Sequence, residues 1–258
     1  MAKTMEGAEA FRFEAEGRPA VLVLHGFTGS TQSMRYLGQE LHRRFGFFVY
    51  GPRLAGHGTS PDDMAATGYL DWLGTAEAAL GEMAATHGKV FVTGLSMGGT
   101  LCLNLAARFP DLVAGIIPIN GCGGRLGAEM SELVLSSNAP DRIPGIGSDI
   151  KAEGVVELAY KEVPVRCVRE ANALMGATGN LLHKIVCPTL VIQSREDHVL
   201  PPSNGPLILQ GISSRDARIF WLENSYHVAT LDNDKDLIVE RTGRFIAEVA
   251  SDSGARQG

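Results

Sequence analysis

A serine stands between two glycines in Gly94-Leu95-Ser96-Met97-Gly98, just after the apolar run KVFVT (89–93) and just before a helical pattern over 97–109. The pattern G-x-S-x-G at a strand-to-helix turn exposes a hydroxyl at its apex. Such a turn crowds the backbone on both sides, and glycine two positions before and after removes the Cβ atoms that would collide. The serine then lies at the amino end of a helix, where the dipole favours negative charge and backbone N–H groups are free to donate. Those are the conditions for holding the oxyanion of an acyl transfer. A phosphate loop would need lysine where Thr100 stands. Against a plain glycine-rich turn with a buried serine, the strand–turn–helix setting favours a nucleophile.

A serine hydroxyl is a poor nucleophile at neutral pH. It needs a histidine base, and the base needs an orienting carboxylate. Where the nucleophile sits on this kind of turn, the chain order is serine, acid, histidine. Asp197 is the best-placed acid: in LVIQSREDHVLPP it follows an apolar strand and lies in a turn closed by Pro201 and Pro202. Glu196 is its nearest competitor. His227, in IFWLENSYHVATLDND, is the best-placed base, after the last strand and before the last helix. His183 precedes the acid, and the side chain of His198, adjacent to Asp197, should point away from it. The oxyanion needs a second donor besides the N–H of Met97. The backbone N–H of Phe27, in LVLHGFTGS, is expected to supply it. His25 is expected to tie that loop down through its ring. The bland alternatives are a turn-capping aspartate, a surface histidine and an ordinary glycine turn; chain order and loop placement favour chemistry.

These residues need a scaffold that brings them to one edge. Short apolar runs at 20–24, 46–50, 89–93, 114–119, 188–193 and 217–222 show no polar alternation, as expected for strands buried on both faces of a parallel sheet. Helical patterns lie between them at 32–45, 70–87, 97–109, 203–212 and 234–250. The alternation predicts an α/β fold with a mostly parallel, doubly wound sheet. It breaks at about 121–186, which reads as an insertion over one sheet edge, with helical character at KAEGVVELAY and REANALMGATGNLLHKI. The whole chain, 1–258, is expected to be one domain carrying that small cap.

Composition narrows the function classes. Hydrophobic residues make up 45% of the 258 residues and charged residues 20%, as in an ordinary globular protein. The net charge of −6 with no basic block speaks against a nucleic-acid partner. The cysteines at 102, 122, 167 and 187 form no CxxC pair and read as reduced, in a cytoplasmic chain. The N-terminus lacks the apolar stretch of a signal peptide, and SDSGARQG at the end reads as a frayed tail. In DNDKD (232–236), Leu237 replaces the glycine that a calcium loop requires, so those acids are expected to cap the final helix. In GCGGRLG, Leu126 replaces the last glycine of a dinucleotide fingerprint. No metal and no cofactor is implied.

Taken together, HGFTGS, PRLAGHGTSP, GLSMGGT, PGIGSDIKAEGVVELAY, QSREDHVLPP and ENSYHVATLDND resemble the bacterial monoacylglycerol lipases and their carboxylesterase relatives, of the α/β-hydrolase fold. The resemblance runs from about Pro19 to Ile246. It implies hydrolysis of a single acyl chain from glycerol through an acyl-enzyme. It also implies that Glu157 contacts the glycerol hydroxyls and that Ile146 narrows the route to the glycerol end. From sequence alone, Glu157 is a solvent-facing glutamate on a mostly apolar helix. The partners to expect are a small amphiphilic ester, transient membrane-surface contact through the cap, and at most a second copy in a weak homodimer. Competing readings on the same residues are a broader carboxylesterase, a carbon–carbon bond hydrolase and a non-catalytic lipid-binding receptor.

Overall fold

In the computed structural model, residues 3–17, 19–124 and 126–255 are described. Among them nine strands form: β1 (Phe11–Phe13), β2 (Ala20–Leu24), β3 (Phe48–Gly51), β4 (Val90–Leu95), β5 (Val113–Ile119), β6 (Arg142–Pro144), β7 (Glu162–Pro164), β8 (Thr189–Ser194) and β9 (Ala217–Leu222). The helices are α1 (Gln32–Phe45), α2 (Pro61–Ala65), α3 (Tyr69–His87), α4 (Met97–Arg108), α5 (Ala128–Leu135), α6 (Val165–Gly179), α7 (Asn204–Gly211) and α8 (Lys235–Ala255).

Seven strands make one sheet in the order β1-β3-β2-β4-β5-β8-β9, and β6 pairs only with β7. Every neighbour in the large sheet is parallel except β1, which runs antiparallel to β3. The chain leaves β2 toward β3 on one side and comes back to β4 on the other. Strand order therefore reverses between β2 and β4, which opens a crevice at their carboxyl ends. Leu24 stands opposite Gly94 in that pair, so the loops after the two strands meet.

The two sheet faces explain the unbroken apolar runs. Leu22 and Leu24 pack in one core with Trp72 and Leu80 of α3 and Leu101 of α4. Val21 and Val23, one residue out of phase, pack in another with Leu37 and Leu41 of α1 and Ile238 and Ile246 of α8. Successive side chains point to opposite faces, and both faces are covered, so apolar residues dominate on both. Trp72 is wholly buried and gives its indole N–H to Thr67 Oγ1 at 3.1 Å.

Several expectations change. β9 is not buried on both faces: it is the sheet edge, and only Leu222 of its six residues is buried. Its rings are covered by guanidinium groups instead, Arg241 over Phe220 at 4.4 Å and Arg195 over Trp221 at 4.5 Å. The segment 151–160 forms no helix. Its amides are drawn to outside acceptors: Lys151 and Ala152 donate to Asp232, Leu158 to Gln32 Oε1 and Tyr160 to the Thr28 carbonyl. Those bonds replace a helical ladder, and tertiary context overrides local propensity. The final helix continues to Ala255, into the stretch read as a tail; the last three residues lie outside the described ones. Between β5 and β8 the chain forms α5, the β6–β7 hairpin and α6. α6 is anchored below: Cys167, Ala171, Leu174 and Met175 join the core, and Asn104 of α4 donates to Thr178 at 3.0 Å.

Candidate active site

Ser96 occupies the turn between β4 and α4 with φ +57° and ψ −118°, a conformation that costs a non-glycine residue energy. The surroundings hold it there. A Cβ on Gly98 would lie 2.1 Å from the Leu24 carbonyl oxygen, and one on Gly94 would lie 2.5 Å from the backbone of Gly98. Only glycine permits this approach of the turn to β2, which is the physical reason for the spacing around Ser96. Ser96 N–H donates to Ile119 O at 2.9 Å, continuing the β4–β5 pairing through the bend.

His227 lies in the loop after β9 and Asp197 in the loop after β8. His227 Nε2 is 2.9 Å from Ser96 Oγ, and His227 Nδ1 is 2.8 Å from Asp197 Oδ2. The other Asp197 oxygen accepts the backbone N–H groups of Val199 (2.9 Å) and Leu200 (2.8 Å), which fixes the carboxylate. A carboxylate only accepts, so Nδ1 carries the imidazole proton and the lone pair of Nε2 faces the hydroxyl. Both His227 and Asp197 are buried. Burial works against a charged imidazole, but Asp197 foremost, then Glu157 and Asp149, outweigh it and hold the His227 pKa above its usual value. The serine, acid and base read from the sequence are thus brought together. His198 points outward, to Asp149 and the edge of the Tyr226 ring, and Glu196 pairs with Lys151 at the surface.

The loop after β2 closes on the serine: a Cβ on Gly26 would touch Ser96 Cβ at 3.3 Å. Phe27 lines the same cleft as Ser96, and Met97 is the first residue of α4, so its N–H has no helical acceptor. His25 holds the loop as expected: its Nδ1–H donates to Gly26 O at 3.0 Å, and Nε2 accepts the Leu54 N–H at 3.1 Å. Burial lowers its pKa to about 4, so the ring stays neutral.

Two clefts meet at Ser96. One, of about 600 Å³, is lined by Phe27, Leu126, Met130, Val168, Met175 and Leu200. The other, about 360 Å³, is lined by Gly26, Thr28, Ile146, Asp149, Glu157 and His227. Ile146 lines both, and 42% of it is exposed. Glu157 is not on a helix; it lies half-buried in the irregular 151–160 segment and lines the smaller cleft. Gly29 makes room for it, since a Cβ there would lie 2.4 Å from Glu157 Oε1. Burial pushes the Glu157 pKa up to about 7, against the opposing influence of His227 and the Ser33 hydroxyl.

Four residues that brace the site were not read as site residues from the sequence. Asn120, at the end of β5 with φ +44°, accepts Ser194 N–H at 2.7 Å and donates to the His227 carbonyl at 2.8 Å. It welds the acid-bearing strand to the base-bearing loop. Its position right after a strand, in Asn-Gly, was the available clue. Asp232 accepts from Tyr226, Lys151 and Ala152, and Asp234 from Asn224 and Ser225. These acids brace the histidine loop; Asp234 also stands directly before the last helix, where its carbonyl accepts the Ile238 N–H at 2.9 Å. Asp149 has no clue in its spacing at all.

The family described as alpha/beta hydrolase fold matches residues 19–143. A thermostable monoacylglycerol lipase from a Bacillus species is 44% identical over 246 residues, covering 95% of this chain and 97% of its own. The chain belongs to the α/β-hydrolase family. A carboxylesterase from Bacillus subtilis is 29% identical, over 90% of this chain and 94% of its own. A solved chain from the work on LipS and LipT, two metagenome-derived lipolytic enzymes, superposes with a TM-score of 0.91 at 48% identity, over 95% of this chain and 100% of its own.

Proposed function

We propose that the protein is a serine hydrolase that cleaves monoacylglycerols to fatty acid and glycerol through an acyl-enzyme. The observation that carries this reading is the Ser96–His227–Asp197 hydrogen-bonded line at the junction of one apolar and one polar cleft. The acyl chain lies in the apolar cleft. The glycerol lies in the other, with its hydroxyls against Glu157. Ile146 stands where the two meet and narrows the glycerol end.

His227 Nε2 takes the Ser96 proton as Oγ attacks the ester carbonyl, forming the Oγ–C bond. The Phe27 and Met97 amides receive the negative charge that develops on the carbonyl oxygen. The C–O bond to glycerol then breaks, and His227 returns the proton to the departing alkoxide. Water, deprotonated by the same histidine, attacks the acyl-enzyme and frees Ser96. Asp197 keeps the imidazole in the tautomer that accepts from the hydroxyl.

The cap is the segment between β5 and β8, about 121–186, with α6 as its root in the core. Its rim exposes Leu135 (84%) and Val156 (70%), which supports transient contact with the membrane surface that supplies the substrate. No helix among the described residues is long and apolar enough to cross a membrane. Co-sedimentation with phosphatidylcholine vesicles should drop in the double variant Leu135→Glu, Val156→Glu; unchanged co-sedimentation rejects that contact. Cys102, Cys122 and Cys167 are buried as small apolar side chains, which supports a reducing, cytoplasmic setting.

The test of the activity is fatty-acid release from a monoacylglycerol and from a simple ethyl ester of the same acid. A kcat/KM advantage for the glycerol ester that depends on Glu157 supports the reading. Equal rates on both would make the enzyme a general carboxylesterase.

A further inference from the structure

We infer that Asp149 is a positioning residue: it clamps the loop bearing the base to the loop bearing the acid and ties both to the segment that carries Ile146. The inference rests on the Ser96–His227–Asp197 reading above. Asp149 Oδ2 accepts the backbone N–H of His227 at 3.0 Å and that of His198, the residue after Asp197, at 3.3 Å. Its Oδ1 faces His198 Nδ1 at 2.9 Å. The Val228 N–H donates to the Asp149 carbonyl at 3.0 Å. One carboxylate thus bridges the two loops whose side chains must stay 2.8 Å apart.

The clamp is sheltered. The Asp149 side chain is 16% exposed, whereas that of its surface partner His198 is 59% exposed. Hydrogen bonds to a carboxylate are roughly twice as strong as neutral ones. Asp232 fixes the next two residues in the same way, receiving the N–H groups of Lys151, Ala152 and Tyr226. Segment 149–152 is therefore fastened to 226–228 at several points, three residues beyond Ile146. A shift of segment 149–152 would strain the base loop, and Ile146 lies just before that segment. Contact of substrate with Ile146 and the placing of His227 are linked through Asp149.

A residue that merely filled space would behave differently from a charged clamp. The groups facing His227 are Ser96, Asp197 from the acid loop, and Glu157 and Asp149 from the cap segment. Asp149→Asn keeps an acceptor oxygen for the His227 N–H and removes one of these negative charges. Asp149→Ala removes both.

The experiment measures kcat, KM and the pH profile of kcat/KM on a short-chain nitrophenyl ester, for wild type, Asp149→Asn and Asp149→Ala, with Ser96→Ala as control. The expected result for Asp149→Ala is a kcat loss of about 10- to 100-fold with little change in KM, the size expected for misplacing a reacting group. Asp149→Asn should recover most of that kcat while its acidic limb moves to lower pH. If Asp149→Ala does not fold, the moved acidic limb of Asp149→Asn decides alone. Wild-type kcat in Asp149→Ala, or an acidic limb unmoved in Asp149→Asn, overturns the inference. Turnover that persists in Ser96→Ala would instead overturn the nucleophile reading on which it rests.

Discussion

The two clefts that meet at Ser96 differ in what lines them and in what holds their walls. The larger is lined almost wholly by apolar side chains, several of them from α5 and α6, with Asn172 its main polar exception. The smaller mixes apolar side chains, Phe27, Leu95, Ile146, Val199 and Val228, with two carboxylates and the imidazole of His227, and its walls are cross-braced by hydrogen bonds. An apolar wall discriminates weakly, by about 1–3 kcal/mol per methylene. A wall with a buried carboxyl discriminates sharply, because a substrate that fails to pair with it leaves that group unsatisfied. On the function proposed above, the difference assigns selectivity: the acyl chain meets the less discriminating wall, and the alcohol meets the wall that carries Glu157.

The largest effects should come from residues common to both sides. His227→Gln should lower kcat by roughly 10⁵–10⁶, and Asp197→Asn by about 10⁴, whatever the ester, as for other triads. Steady-state rates on a short and a long ester would check this. A loss confined to one ester would place these residues in a cleft wall instead of at the junction.

Next in size is the apolar side. Val168→Trp fills the larger cleft and should reduce kcat/KM for a long-chain ester by about 100-fold while sparing an acetyl ester. Equal losses on both would mean that the acyl chain lies elsewhere.

The polar side should respond to the alcohol alone. Glu157→Gln should raise KM for a monoacylglycerol by about tenfold, the cost of one charge-assisted hydrogen bond, with the nitrophenyl ester unaffected. With the Glu157 pKa at about 7, its charged form gains as pH rises. KM for the glycerol ester should therefore fall as pH rises through about 7, and that for the nitrophenyl ester should not. A flat KM would break the assignment of glycerol to this cleft. The base sets the rate on both sides: His227 must be neutral to act, and its pKa is raised, so kcat/KM on every ester should fall with acid starting above pH 6.5.

The smallest effect concerns the platform beneath both clefts. His25 and His57 are buried and neutral, with pKa values lowered to about 4 and about 3. The unfolded chain takes up their protons first, near pH 6.5. Stability is therefore complete above pH 6.5 and declines as pH falls toward 4. Thermal unfolding of wild type and of His57→Gln across that range should show a shallower decline in the variant. Parallel curves would remove His57 from the account.

What could be read in advance follows the same division. The sheet, its flanking helices and the junction residues were legible because each rests on a local cause: unbroken apolar runs, a glycine-crowded turn, and acid and base each just past a strand. β1 was missed because three residues at an edge carry little pattern. The 151–160 segment was misread as a helix because its amides are claimed by Asp232, Gln32 and Thr28, partners far off in sequence. The expectation that Glu157 contacts glycerol came only through the family resemblance; its position beside Gly29 depends on that same unforeseen path. Asp149, Asp232 and Asn120 act by bonding the backbones of other loops, which leaves no spacing for a sequence to display.

The measurement that bears most directly on the central claim is fatty-acid release from mono-, di- and triacylglycerols of one chain length, with Ser96→Ala as the blank. The account predicts rapid Ser96-dependent turnover of the monoacylglycerol and little of the other two, because a second acyl chain would have to enter the braced polar cleft. Comparable rates on all three, or no Ser96-dependent release from any, would contradict it.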